Sequence, residues 1–121
     1  MLIIRKEQKT VLEAYMSAQF RTRLLAFIRG NLREETRAQT DAELRKLIDE
    51  GITRSARYGI TTERDISLYV SLMIQHSPHF EEKPDMQWAK RILVKPELPG
   101  QTKLALITQM LDAQQKSSPI E

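Results

Sequence analysis

His76, Ser77, Pro78 and His79, followed by Glu81, Glu82 and Asp85, place imidazole, hydroxyl and carboxylate groups within ten residues. Such groups can ligate a metal or move protons. The spacing does not favour either use. Pro78 breaks a helix, so the two imidazoles cannot lie on successive helical turns, and the usual zinc spacings are not matched. The stretch "SPHFEEKPD" reads instead as a solvated acidic loop. Nucleophilic catalysis needs a serine or threonine, a histidine base and an orienting acid. The chain has two histidines and no cysteine. Neither histidine lies near a glycine-flanked serine, and no glycine-rich phosphate loop or paired-carboxylate spacing occurs. No catalytic residue, metal or cofactor is expected, and the protein reads as a non-enzyme.

Three other side chains could make a binding surface. Arg23 lies at helical spacing from Gln19, Phe20 and Phe27, within an apolar face. A guanidinium there either snorkels, pairs with a carboxylate such as Asp65 or Glu63, or contacts a partner. Trp88, the single tryptophan, sits on a short amphipathic segment between proline-rich stretches. It can anchor that segment to the core or serve as an interface residue. Phe80, flanked by Glu81 and Glu82, is expected to be exposed if its loop is mobile.

The elements that must position these groups are all helical. Residues 6–29 carry Leu12, Met16, Phe20, Leu24 and Phe27 on one face, with Gly30-Asn31 as a stop. Residues 31–39 read as a loop or a weak helical extension. Thr40 and Glu43 have capping-box spacing, so a second helix starts near Asp41 and buries Leu44, Leu47, Ile48 and Ile52. It ends at Gly59, with Ile60 folding back onto its last turn. Arg54 and Arg57 then sit at the negative end of that helix. Thr61 or Thr62 caps a third helix, whose stripe of Ile66, Tyr69, Val70, Met73 and Ile74 is widened by Leu68 and Leu72. A helix apolar that far round is normally central. Asp85 can cap a fourth helix over 86–94, and a fifth, 101–115, shows Leu104, Ile107 and Leu111. Residues 116–121 read as a frayed tail. The fold class is all-α, a compact single-domain bundle of about five helices spanning 1–121.

"SARYGITTERDISLYVSLM", residues 55–73, has the layout of a helix-turn-helix. A reading helix must present polar donors to base edges. Residues 66–74 offer two serines and one tyrosine hydroxyl among apolar side chains, and exposing them would cost about 1.5–3 kcal/mol for each large one. The tight helix–helix connection is the preferred reading, and a DNA-binding regulator is disfavoured. The net charge of +3, from 19 basic and 16 acidic side chains, gives only a mild field. "MLIIRKEQKT" is too short for a signal peptide or a membrane span, and no other run is long enough to cross a bilayer. A cytoplasmic protein with no membrane or nucleic-acid partner is expected.

The segments "MLIIRKEQ", "FRTRLLAFIR", "ARYGITTERDISLYVSLM" and "WAKRIL" resemble a group of small bacterial proteins associated with type VI secretion gene clusters. The resemblance covers most of residues 1–93, and the "RYGI-x-x-ERD" block is its most specific part. Arg5, Gln8, Phe20, Arg23, Arg57, Tyr58, Gly59, Ile60, Glu63, Arg64, Asp65 and Trp88 match the group's pattern. Where the group has "DFD-x-x-P" before "WA", this chain has "HFEEKPDMQWA", so His79 and Lys83 depart from it. The resemblance implies a helical accessory or adaptor protein that handles a toxin, with an effector, a spike-tip protein or an effector adaptor as partner. Arg23, Arg64, Phe80, Glu81, Glu82, Asp85 and Trp88 are the candidate partner-binding residues. The candidate surfaces are 31–39, 78–88 and the C-terminal helix. The alternative is an immunity protein that sets acidic residues 81, 82 and 85 into a toxin's basic cleft.

Overall fold

The computed structural model describes residues 19–117, with side chains through residue 114. Among the described residues the protein is all helix and turn, with no strand. Six helices follow in order: α1 (Arg21–Asn31), α2 (Arg33–Thr36), α3 (Asp41–Arg57), α4 (Glu63–Gln75), α5 (Gln87–Leu93) and α6 (Gly100–Ser117). Two 3₁₀ turns, Phe80–Glu82 and Pro84–Met86, lead into α5. By their contacts the helices gather into two compact units, Met1–Asp49 and Glu50–Glu121, and the division falls within α3.

In the first unit, Phe20, Leu24, Leu25 and Ile28 are buried on α1. Phe27 is not; it is 44% exposed. The correction follows from helical geometry, because the buried row advances by four residues (20, 24, 28) and leaves position 27 on its flank. Leu12 and Met16 lie outside the described residues. The stop at Gly30-Asn31 occurs where expected but by another device. The one glycine with positive φ among the described residues is Gly59. After Asn31, the Leu32 amide donates to the Ile28 carbonyl at 2.8 Å, and the Asn31 side chain donates to the Phe27 carbonyl at 2.9 Å.

The 31–39 segment contains the short α2, tied back by one arginine. Arg29 donates to the Thr36 carbonyl at 2.6 Å, to the Gln39 carbonyl at 2.7 Å and to Asp41 Oδ1 at 2.7 Å. The capping box forms as expected. Thr40's amide donates to Glu43 Oε1 at 2.9 Å, and Glu43's amide donates to Thr40 Oγ1 at 3.1 Å. Both bonds satisfy amides that the first helical turn leaves without partners. Leu44 and Ile48 are fully buried on α3, while Leu47 and Ile52 are half-buried.

In the second unit, α3 closes at Gly59, whose φ of 78° is left-handed. Ile60's amide donates to the Ser55 carbonyl and Gly59's to the Ala56 carbonyl. These are the two bonds of a Schellman motif, and the buried Ile60 folds back as the sequence predicts. Thr62 rather than Thr61 caps α4, accepting from the Asp65 amide at 3.2 Å. Ile66, Tyr69, Val70, Leu72 and Met73 are buried on α4, Ile74 is half-buried and Leu68 is exposed. Ser67 and Ser71 donate back to carbonyls four residues earlier. The C-terminal half of α3 approaches α4 closely. A Cβ added at Gly51 would lie 2.5 Å from Val70 Cγ2, inside van der Waals contact. Helix α6 packs against both α4 and α5, burying Leu104 and Ile107. It starts at Gly100, where a Cβ would meet the Gly59 carbonyl and Ile60 at 3.2 Å. Lys103 is buried there and donates to the Tyr58 carbonyl at 2.6 Å, closing the C-terminus of α3 from another helix.

Helix α5, expected over 86–94, begins at Gln87 without a side-chain cap. Asp85, expected to cap it, lies instead in the Pro84–Met86 turn. Gln87's amide group ties the start of α5 back to the Lys83 carbonyl at 3.1 Å. Helix α6 runs through Ser117, past the expected end at 115; residues 118–121 lie outside the described residues.

Candidate functional site

The groups that look chemically active in the sequence converge on Glu81, which is fully buried. Its Oε2 accepts from Arg54 Nη2 at 2.6 Å, from the Tyr58 hydroxyl at 2.8 Å and from the Tyr69 hydroxyl at 2.9 Å. Arg54 and Tyr58 stand one turn apart at the end of α3, and Tyr69 faces them from α4. The Pro78 carbonyl accepts from Arg54 Nη1 at 2.8 Å, and His79 Nδ1 lies against the same nitrogen. One guanidinium therefore fastens the 78–81 segment at three points. Phe80 is fully buried beside it, its ring 5.6 Å from that of Tyr69.

This corrects the reading of 77–85 as a solvated acidic loop at Phe80 and Glu81, while Pro78, His79, Glu82, Lys83, Pro84 and Asp85 are exposed. Phe80 and Glu81 are core residues and offer no surface to a partner. Arg54, read as a companion of the helix dipole, is the counter-ion of Glu81. A buried carboxylate without such partners would be costly, so the Arg54–Tyr58–Tyr69 donor set is what allows Glu81 to sit inside. The sequence held one signal for this. Tyr69 interrupts an apolar stripe, and a buried phenol needs an acceptor. Nothing in the spacing named Glu81 as that acceptor.

The electrostatics follow from the geometry. Burial, and then the Glu81 charge and hydrogen bond, push the Tyr69 hydroxyl well above its ordinary range. Burial and the bond to Glu81 raise Tyr58 as well. Both phenols are thus held protonated as donors, which suits them to hold a carboxylate and unsuits them as bases. Glu81 Oε1 and Trp88 Nε1 are buried without a hydrogen-bond partner. Burial and Lys83 lower the His76 imidazole. His79 Nδ1 faces a guanidinium, so that nitrogen is blocked as a ligand atom. Among the described residues no group of three or more histidine, aspartate or glutamate side chains is placed to hold a metal ion.

The remaining candidates do not form one cluster. Glu82 pairs with Lys90 at 2.6 Å, and that bond holds its carboxyl below the ordinary range. Asp85 and Arg64 are exposed, and Trp88 is half-buried on α5. Arg23 is exposed on α1, whereas Asp65 is buried in the first turn of α4. They belong to different units. The bridge between them remains an expectation.

A different surface stands out. Leu106 and Met110, four residues apart on α6, are 37% and 44% exposed. They flank the buried row, Met110 standing one turn from the buried Ile107 and seven residues from the buried Lys103. The exposed residues of α6 through residue 114 are Gln101, Thr102, Ala105, Leu106, Thr108, Gln109, Met110, Asp112, Ala113 and Gln114. One of these ten is charged, against seven of the ten exposed residues of α3. Few charges and an exposed methionine are features also found at the core of protein interfaces. Among the described residues no helix is long and apolar enough to cross a membrane.

Comparison of the chain with protein-family models, with curated proteins and with solved structures gives no match.

Proposed function

We propose that this protein is a non-enzymatic protein-binding module, an accessory or adaptor that engages a type VI secretion effector or its loading partner in the cytoplasm. The observation that supports the binding role is the sparsely charged exposed face of α6, which leaves Leu106 and Met110 partly open to solvent. The secretion context rests on the sequence blocks quoted above. The non-enzymatic part is supported by the way the polar groups are used. Arg54, Tyr58 and Tyr69 all donate to Glu81 Oε2, and Glu81 and Tyr69 are buried away from a substrate.

The immunity alternative loses most of its acidic support. Of residues 81, 82 and 85, the first is buried and the second is neutralised by Lys90. A single exposed Asp85 gives little steering toward a basic cleft.

Co-expression with the products of neighbouring secretion genes, followed by affinity capture, tests the proposal. The wild-type chain should retain one of them. Met110→Glu should lose it while remaining folded, because a charge set into an apolar contact must be desolvated. Equal retention by both chains would move the interface away from α6. Protection of cells from a co-expressed toxin by the chain alone would favour the immunity role.

A further inference from the structure

Residues 86–95, "MQWAKRILVK", hold three cations and no carboxylate. Met86, Ala89 and Leu93 form the buried row of this segment, so Arg91 stands on the opposite side of α5. Val94's amide donates to the Lys90 carbonyl at 3.0 Å and Lys95's to the Ile92 carbonyl at 3.3 Å, which carries the helical turn on to Lys95, four residues beyond Arg91. Both cations are exposed. Glu82 holds Lys90, whereas among the described residues no carboxylate pairs with Arg91 or Lys95. We propose that this side of α5 binds an acidic segment of another protein, through two carboxylates about 6 Å apart with an apolar side chain beside them. The inference rests on the reading of the protein as a binding module and names the chemistry of a partner.

Apolar groups border the two cations on both sides. Val94, at 53% the most exposed large apolar side chain among the described residues, flanks Arg91. The half-buried Trp88 and Ile92 lie at helical spacing on the other flank. The negative end of α5 accounts for a cation in its last turn, but not for Val94 left open beside two of them. Charge complementarity sets the sign of the occupant. Its class follows from what accompanies the charge. A nucleic-acid surface gathers many phosphate contacts, and this one offers two unpaired cations. A membrane-surface helix turns its apolar side outward, whereas α5 turns Met86, Ala89 and Leu93 into the core. Two cations one turn apart with apolar borders match a peptide that mixes acids and apolar residues, whose same-face side chains recur at about 6 Å in a helix and about 7 Å in a strand. The face is small and exposed, so affinity is modest and falls with salt.

Heteronuclear NMR of the full chain tests this, with the single tryptophan's indole resonance as a reporter beside the amides of 91–95. The probe is a short helical peptide with two glutamates four residues apart and a leucine beside them; the control has glutamine in both places. The acidic peptide should shift the Trp88 indole and the 91–95 amides, the control should not, and the shifts should shrink between about 0.05 M and about 0.5 M salt. Arg91→Gln/Lys95→Gln should bind at least tenfold more weakly with an unchanged melting temperature, while the exchanged pair Arg91→Lys/Lys95→Arg should keep binding. No shift in wild type, an equal response to the control, or equal binding by the glutamine variant would each overturn the proposal. Phosphatidylserine vesicles or a short DNA duplex moving the same resonances while the peptide does not would also overturn it, in favour of a membrane or nucleic acid. A wild-type chain that captures no secretion protein but binds the acidic peptide through Arg91 and Lys95 would sink the secretion reading and leave this face standing. Capture that persists in the glutamine variant, with no peptide response, would do the reverse.

Discussion

The Glu81 cluster and the outer face of α6 are opposites in the second unit. The first collects an acid, a guanidinium, two phenols and an imidazole, and nearly all of its hydrogen-bonding capacity is spent internally. The second exposes ten residues through position 114, of which Asp112 alone is charged. The contrast teaches that residue chemistry alone is a poor guide to function. A carboxylate that must be buried recruits donors to itself, and those donors then hold the fold together.

Glu81→Gln should break the comparison most severely. It leaves Arg54 without its counter-ion in a nearly dry site, and loss of one member of such a pair costs about 3–5 kcal/mol. Urea unfolding would read this as a large drop in midpoint. The double variant Arg54→Met/Glu81→Leu should recover much of the loss, since apolar replacement of a whole buried pair is often neutral. If the double variant is as unstable as the single one, the cluster has a structural role beyond charge compensation.

Alkaline pH should act on the same cluster. Tyr58 and Tyr69 are raised above their ordinary value of 10.0 in the folded chain. Below about pH 10 both are protonated whether folded or not, and their contribution is intact. Above it, the unfolded phenols release protons that the folded ones keep, so stability falls as pH rises. Melting temperatures between about pH 8 and pH 11 should therefore decline, and Tyr69→Phe should flatten the decline at the cost of one hydrogen bond, about 1 kcal/mol. A decline of equal slope in Tyr69→Phe would assign it to other groups.

A smaller effect is expected in the first unit. Thr40→Ala removes the acceptor for the Glu43 amide and should cost about 1 kcal/mol by thermal melting. No change would mean that the turn held by Arg29 fixes the start of α3 without the cap.

Much of the fold was legible because its signals are local. Thr40 with Glu43, Gly59 with Ile60, and the stripe from Ile66 to Met73 each specify their element within a few residues. The Glu81 site was not legible, because it joins positions 54, 58, 69 and 81 through tertiary contacts. Phe80 and Glu81 look solvent-facing beside Glu82 and Lys83 until a 3₁₀ turn rotates them inward. Phe27 failed for a related reason. Spacings of three and four both suit a helix face, and packing selected the row through Ile28 instead. The α6 surface lay between these cases. Its buried row was visible, whereas the meaning of Leu106 and Met110 depended on seeing which side stayed exposed.

The account is tested most directly by measuring the urea unfolding midpoints of Glu81→Gln and Met110→Glu side by side. It predicts a large fall for the first and a change within about 0.5 kcal/mol of wild type for the second, the usual range for surface positions. A Met110→Glu chain as unstable as Glu81→Gln would contradict it, because the outer face of α6 would then be part of the core.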